Sequence, residues 1–241
     1  MLGTDSPTDI ETILASCERD LAAGGKVDLR KLGFWRAVSA VKRRREWTEK
    51  YADRIGAIDR QAFERAVRPT WPPAVGTSIL SLGAAGGLFL AGVSRTIPSR
   101  GNAVTLMAGA TALLGTTHGL AHFVLGRLLG IRFTHWYLNG PTRLQPGVKI
   151  DYASYLRASP QARAWMHASG ALVTKVIPFA LVPVARTPGM PRWTVAVLLG
   201  IGVAQIGTDL LYSTRNSDWK RVRREVRIAQ QSKPKADRTP G

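Results

Sequence analysis

Between Glu64 and Asp209 the chain carries one acidic residue, Asp151, and two uninterrupted apolar runs lie inside that interval. A bilayer core about 30 Å thick is crossed by roughly 20 apolar residues rising about 1.5 Å each, so charge-free length limits the choice of fold. Residues 74–94 have no ionisable side chain, and residues 101–126 have none except His118 and His122. Residues 164–185 carry Lys175 with Pro178 and Pro183, and residues 193–214 carry Asp209 near their end. Both fit spans in length, and proline is tolerated in membrane helices where neighbouring groups satisfy the freed carbonyls. The expected fold class is all-α: a polytopic membrane protein with about four transmembrane helices and a helical cytoplasmic N-terminal region.

Charge supplies the orientation. The formal net charge is +18, and the first 70 residues hold eleven of the sixteen acids. Lys and Arg number fourteen in that segment, two in 95–100, six in 127–163, two in 186–192 and nine from 215 onward. Positive residues are retained on the cytoplasmic side, so the alternation predicts both termini in the cytoplasm of a plasma or inner membrane. Cations flanking a bilayer point to anionic lipid headgroups as partners rather than nucleic acid. Cys17 is the single cysteine, so no intrachain disulfide is expected, and no signal peptide is expected ahead of the first long apolar run after residue 73.

Three regions follow: a cytoplasmic amphipathic helical region over 1–73, a transmembrane domain over 74–214 and a basic tail over 215–241. From Glu46 to Val67, apolar residues Trp47, Tyr51, Ile55, Ile58, Ala62 and Val67 recur at helical spacing. Ahead of them Phe34, Trp35, Val38 and Val41 lead into Lys42-Arg43-Arg44-Arg45, a pattern expected to rest on an anionic lipid surface. Pro69, Pro72 and Pro73 stop the helix and place Trp71 at the interface. Asp218 to Gln231 reads as a short basic helix, and Ser232 onward as disordered. Gly83 and Gly87 are expected to pack helices within one bundle, and Gly200, Gly202 and Gly207 thin the fourth span.

Ionisable groups inside a bilayer cost about 2.5–3.5 kcal/mol each on insertion scales, so each needs a partner or a purpose. His118 and His122 lie four residues apart, one turn up the same helix face, in the arrangement that holds a zinc ion. Asp209 and His118 fall at comparable depth in the cytoplasmic half and can meet there, with His135 and His167 expected on the same side. The competing reading pairs Asp209 with Lys175 and leaves the histidines as hydrogen-bond donors to backbone carbonyls.

The stretch Thr117-His118-Gly119-Leu120-Ala121-His122, followed by Gly126-Arg127-Leu128-Leu129-Gly130-Ile131, resembles the zinc helix of site-2-protease-like intramembrane metallopeptidases. The resemblance runs from residue 74 to about 225 and takes in His167-Ala168-Ser169-Gly170-Ala171-Leu172, similar to the family's third span. It implies zinc as cofactor, with His118, His122 and an aspartate as ligands; Asp209 matches the aspartate best, with Asp218, His167 and His135 as weaker candidates. The family has a glutamate where this chain has Gly119. That glutamate shuttles the proton in peptide hydrolysis, a role worth a factor of about 10²–10⁴. The resemblance therefore implies a zinc-binding pseudoprotease that holds a transmembrane protein segment without cutting it. Two other readings stand beside it: an active metallopeptidase with Asp151, His135 or His167 as substitute base, and a structural or partner-binding protein without metal. Haem between histidines of different spans has no attachment motif behind it.

Overall fold

The computed structural model describes residues 6–98, 100–138, 146–211 and 217–231. The tail from Ser232, expected to be disordered, lies outside the described residues. The chain opens with a three-helix bundle: α1 (Pro7–Ala22), α2 (Phe34–Val41) and α3 (Arg45–Ala66). Ser6 caps α1 by accepting the Asp9 amide at 3.2 Å, and Pro7 occupies the first turn, where its missing N–H costs nothing. Trp47, Tyr51, Ile55 and Ile58 of α3 are buried, as their spacing predicts.

One expectation about this bundle is overturned. Phe34, Val38 and Val41 do not rest on lipid: they are 0%, 3% and 0% exposed, packed with Ile10, Leu14, Cys17 and Leu21 of α1 and with α3. Fully burying such a side chain is worth about 1.5–3 kcal/mol, so a neighbouring apolar helix competes directly with lipid for this face. Lys42 is drawn inward as well, to Glu225, while Trp35, Arg43, Arg44 and Arg45 stay exposed.

Beyond the bundle come β1 (Thr70–Trp71), α4 (Pro73–Val93), α5 (Asn102–Leu128), β2 (Phe133–Leu138), β3 (Pro146–Ile150), α6 (Tyr152–Arg157), α7 (Pro160–Ala185), α8 (Trp193–Leu211) and α9 (Asp218–Gln231). The chain is mostly helical, 75% by residue. α4 and α7 are each long and apolar enough to cross a membrane, and Trp193–Asp209 of α8 forms a shorter apolar helix. α5 is longer than either, but its histidines and threonines dilute its hydropathy. α4 packs on α5, α5 on α7 and α7 on α8, and Ala91, Leu106, Ala110, Leu113, Leu181 and Leu198 close a core among all four. A Cβ added at Gly109 would lie 2.8 Å from the Gly87 carbonyl, and one at Gly83 would lie 2.7 Å from Thr116 Cγ2. Gly83 and Gly87 thus let α4 and α5 approach within one chain.

The segment expected to be a loop between α5 and α7 contains structure. α5 ends at Gly130, where φ of 81° suits glycine, and the Ile131 amide reaches back to the Gly126 carbonyl at 2.8 Å. β2 and β3 then form an antiparallel hairpin, pairing Phe133 with Ile150 and Trp136 with Val148, and β1 adds to the other edge of β2 through Trp71 opposite Trp136. Trp136 is 1% exposed and donates its indole N–H to Thr77 Oγ1 at 3.1 Å, which fastens the sheet to the start of α4. Asp151 caps α6 and Ser159 caps α7.

Candidate metal centre

His118 and His122 project from one face of α5. α7 crosses this face at Gly170, because any side chain there would enter the His122 ring: an added Cβ would lie 2.7 Å from Cε1. The Met166 carbonyl, one turn earlier, accepts the His122 Nδ1–H at 2.6 Å. A carbonyl cannot donate, so this bond puts the proton on Nδ1 and leaves the Nε2 lone pair pointing the other way. An outer hydrogen bond of this kind orients imidazole ligands at metal sites.

His122 Nε2 stands 3.2 Å from His118 Nε2, and Asp218 Oδ2 lies 3.4 Å from each. These are the three groups among the described residues whose donor atoms converge well enough to hold a metal ion. Zinc binds nitrogen and oxygen at about 2.0–2.2 Å in a tetrahedron, which sets neighbouring ligand atoms about 3.3–3.5 Å apart. The observed edges of 3.2, 3.4 and 3.4 Å lie within about 0.1 Å of that range, and three protein donors leave a fourth position open. His118 is the more open of the pair, its side chain 25% exposed against 11% for His122.

The carboxylate that meets the two imidazoles is Asp218, not Asp209. Asp209 forms an ion pair with Lys175 on α7, and its Oδ2 accepts the Trp219 indole N–H at 2.7 Å. Lys175 also donates to the Ala171 carbonyl at 3.2 Å. The interhelical pairing weighed from sequence thus takes Asp209, while the histidines find a different carboxylate. Asp218 opens α9, which turns back against α7, so its carboxylate sits at a helix N-terminus that favours negative charge. Burial raises the Asp218 carboxyl pKa, but contact with His118 and His122 more than offsets that and holds it far below the ordinary range.

The remaining candidates stand outside this triangle. His167 is 4% exposed and shares a 2.9 Å hydrogen bond between Nε2 and the Tyr155 hydroxyl; its ring centroid lies 6.5 Å from that of His122. His135 is on β2, with its ring 6.0 Å from Phe63. Asp151, 4% exposed, accepts from Arg60 and Arg132 at 3.2 Å each. Trp136 went unnoticed in the sequence although it bears on the site: its indole lies against Gly119, where an added Cβ would meet ring atom Cζ3 at 2.8 Å.

The close fit at Gly170 makes a prediction. Gly170→Ala pushes the His122 ring off the Met166 carbonyl, and loss of such an orienting bond costs about 10–100-fold in metal affinity. Competition between the purified variant and a chromophoric chelator measures that loss; wild-type affinity would mean that α7 gives way instead.

No protein-family model, curated protein or solved structure matches the chain.

Proposed function

We propose that this is a zinc-binding integral membrane protein, similar in plan to site-2-protease-like metallopeptidases but without ordinary proteolytic activity. The observation that carries this reading is the convergence of His118 Nε2, His122 Nε2 and Asp218 Oδ2 at separations of 3.2–3.4 Å. Bound there, zinc would supply a Lewis acid at the open fourth position. Met166 holds one imidazole in its ligand tautomer and Gly170 leaves room for it. Hydrolysis also needs a base beside the metal, and Gly119 supplies none while Trp136 fills the space next to it. Of the substitute bases, Asp151 accepts from Arg60 and Arg132, His167 shares a hydrogen bond with Tyr155, and His135 lies on β2 beside Phe63, outside the triangle of donors.

The membrane part of the proposal has four spans, α4, α5, α7 and α8, with both termini cytoplasmic. It is supported by the apolar side chains left uncovered on these helices: Leu82 is 73% exposed, Phe89 69%, Val176 60% and Val203 62%. Trp165 and Trp193 stand exposed near the starts of α7 and α8, where tryptophan favours the interface. Lys220, Arg221, Arg223, Arg224 and Arg227 give α9 the charge to lie on anionic headgroups. The function proposed for the site is retention of a transmembrane segment of another protein.

Metal content decides between this reading and a metal-free structural one, in which a shared proton holds the two Nε2 atoms and the Asp218 carboxylate together. Elemental analysis of detergent-purified wild type should find about one zinc per chain, and the His118→Ala/His122→Ala variant none. Wild type without zinc, or a variant that keeps it, refutes the proposal.

A further inference from the structure

Glu225 is 2% exposed although the metal centre has no use for it directly. Its Oε1 accepts from Lys42 Nζ at 2.7 Å and from the Tyr155 hydroxyl at 3.1 Å, and its Oε2 accepts from Arg163 Nε at 2.6 Å. The three donors come from three elements: Lys42 closes α2 of the N-terminal bundle, Tyr155 is on α6 and Arg163 is in the first turn of α7. Burial raises the Glu225 carboxyl pKa, but Lys42 and Arg163 more than offset that and hold it below the ordinary range. Two cations share this one buried carboxylate, so without it both Lys42 and Arg163 would be left without their counter-charge, and the joint of α2 and α7 depends on Glu225.

Asp218 and Glu225 are seven residues apart, about two turns or 10.5 Å along α9, and therefore share a face. The opposing surface of α7 is equally continuous: Arg163 holds Glu225, the Met166 carbonyl holds His122, and Gly170 receives the His122 ring. His167, bonded to Tyr155, stands between the two anchor points. We infer that α9 is a two-point latch, with Glu225 as the positioning residue for Asp218, through which metal occupancy and docking of the N-terminal bundle are coupled. This rests on the metal reading above. Coupling of this kind is reciprocal: if docking presents Asp218 to the metal, the metal must tighten docking by the same factor.

The test uses the full chain in nanodiscs, with zinc as the probe. Glu225→Gln should weaken zinc binding by about tenfold, within the usual span of coupling between sites, and leave the stoichiometry at one. In the wild type, zinc should slow amide hydrogen exchange in α2, and a chelator should reverse this. Zinc bound through His118 and His122 with unchanged affinity in Glu225→Gln, together with exchange in α2 indifferent to zinc, overturns the latch and leaves the metal centre standing. Absence of zinc from the wild type overturns both. If Glu225→Gln does not fold, the wild-type exchange measurement decides alone.

Discussion

Asparagine at position 218 is expected to lower zinc affinity by more than about 100-fold, because even the loss of an outer partner of a ligand costs 10–100-fold and Asp218 is placed as a ligand. Asparagine at 209 should leave affinity within about threefold, the range of substitutions that touch no critical group. The contrast follows from what each carboxylate meets. Asp209 is bound by Lys175 and Trp219, whereas Asp218, on the helix that returns toward α7, faces both imidazoles. Asp209→Asn should instead lower thermal stability, since Lys175, with its side chain 17% exposed, would lose its carboxylate. Chelator competition and thermal unfolding of the same two variants separate these effects. A reversed pattern, with zinc lost at 209 and kept at 218, would assign the ligand as the sequence resemblance did.

Why sequence ranked Asp209 ahead of the carboxylate that meets the histidines is a matter of tertiary structure. The spacing of His118 and His122 is local, and a helix places both rings on one face whatever surrounds it. The third donor depends on where α8 stops and how α9 returns, which no local pattern specifies; depth along the span ranked Asp209 first. The cue that did exist was Ser217 ahead of Asp218, since the Ser217 hydroxyl accepts the Lys220 amide at 3.4 Å and marks the start of α9. The hairpin was also legible in principle. Phe133-Thr134-His135-Trp136-Tyr137 is rich in β-forming residues. In the N-terminal bundle, periodicity identified the buried face of α3, but the same apolar pattern in α2 fits protein and lipid equally. Only the presence of α1 shows which one covers Phe34 and Val41.

Introducing a glutamate at position 119 should not confer peptide hydrolysis. Gly119→Glu puts a Cβ 2.8 Å from the indole of Trp136, and that indole has no free side to move toward: it is 1% exposed and its N–H is held by Thr77. Overpacking alone costs about 1–3 kcal/mol, and a carboxylate pressed against an indole adds the expense of burying a charge without a partner. The variant should unfold at a markedly lower temperature and show no cleavage of a membrane-embedded reporter. Gly119→Glu combined with Trp136→Ala removes the clash and is expected to recover part of the lost stability. Cleavage by this double variant, but not by Gly119→Glu alone, would show that the indole as well as the missing base stands between this site and hydrolysis. Stable folding of Gly119→Glu with wild-type unfolding temperature would mean that Trp136 yields readily, and the packing argument against a base at this position would fall.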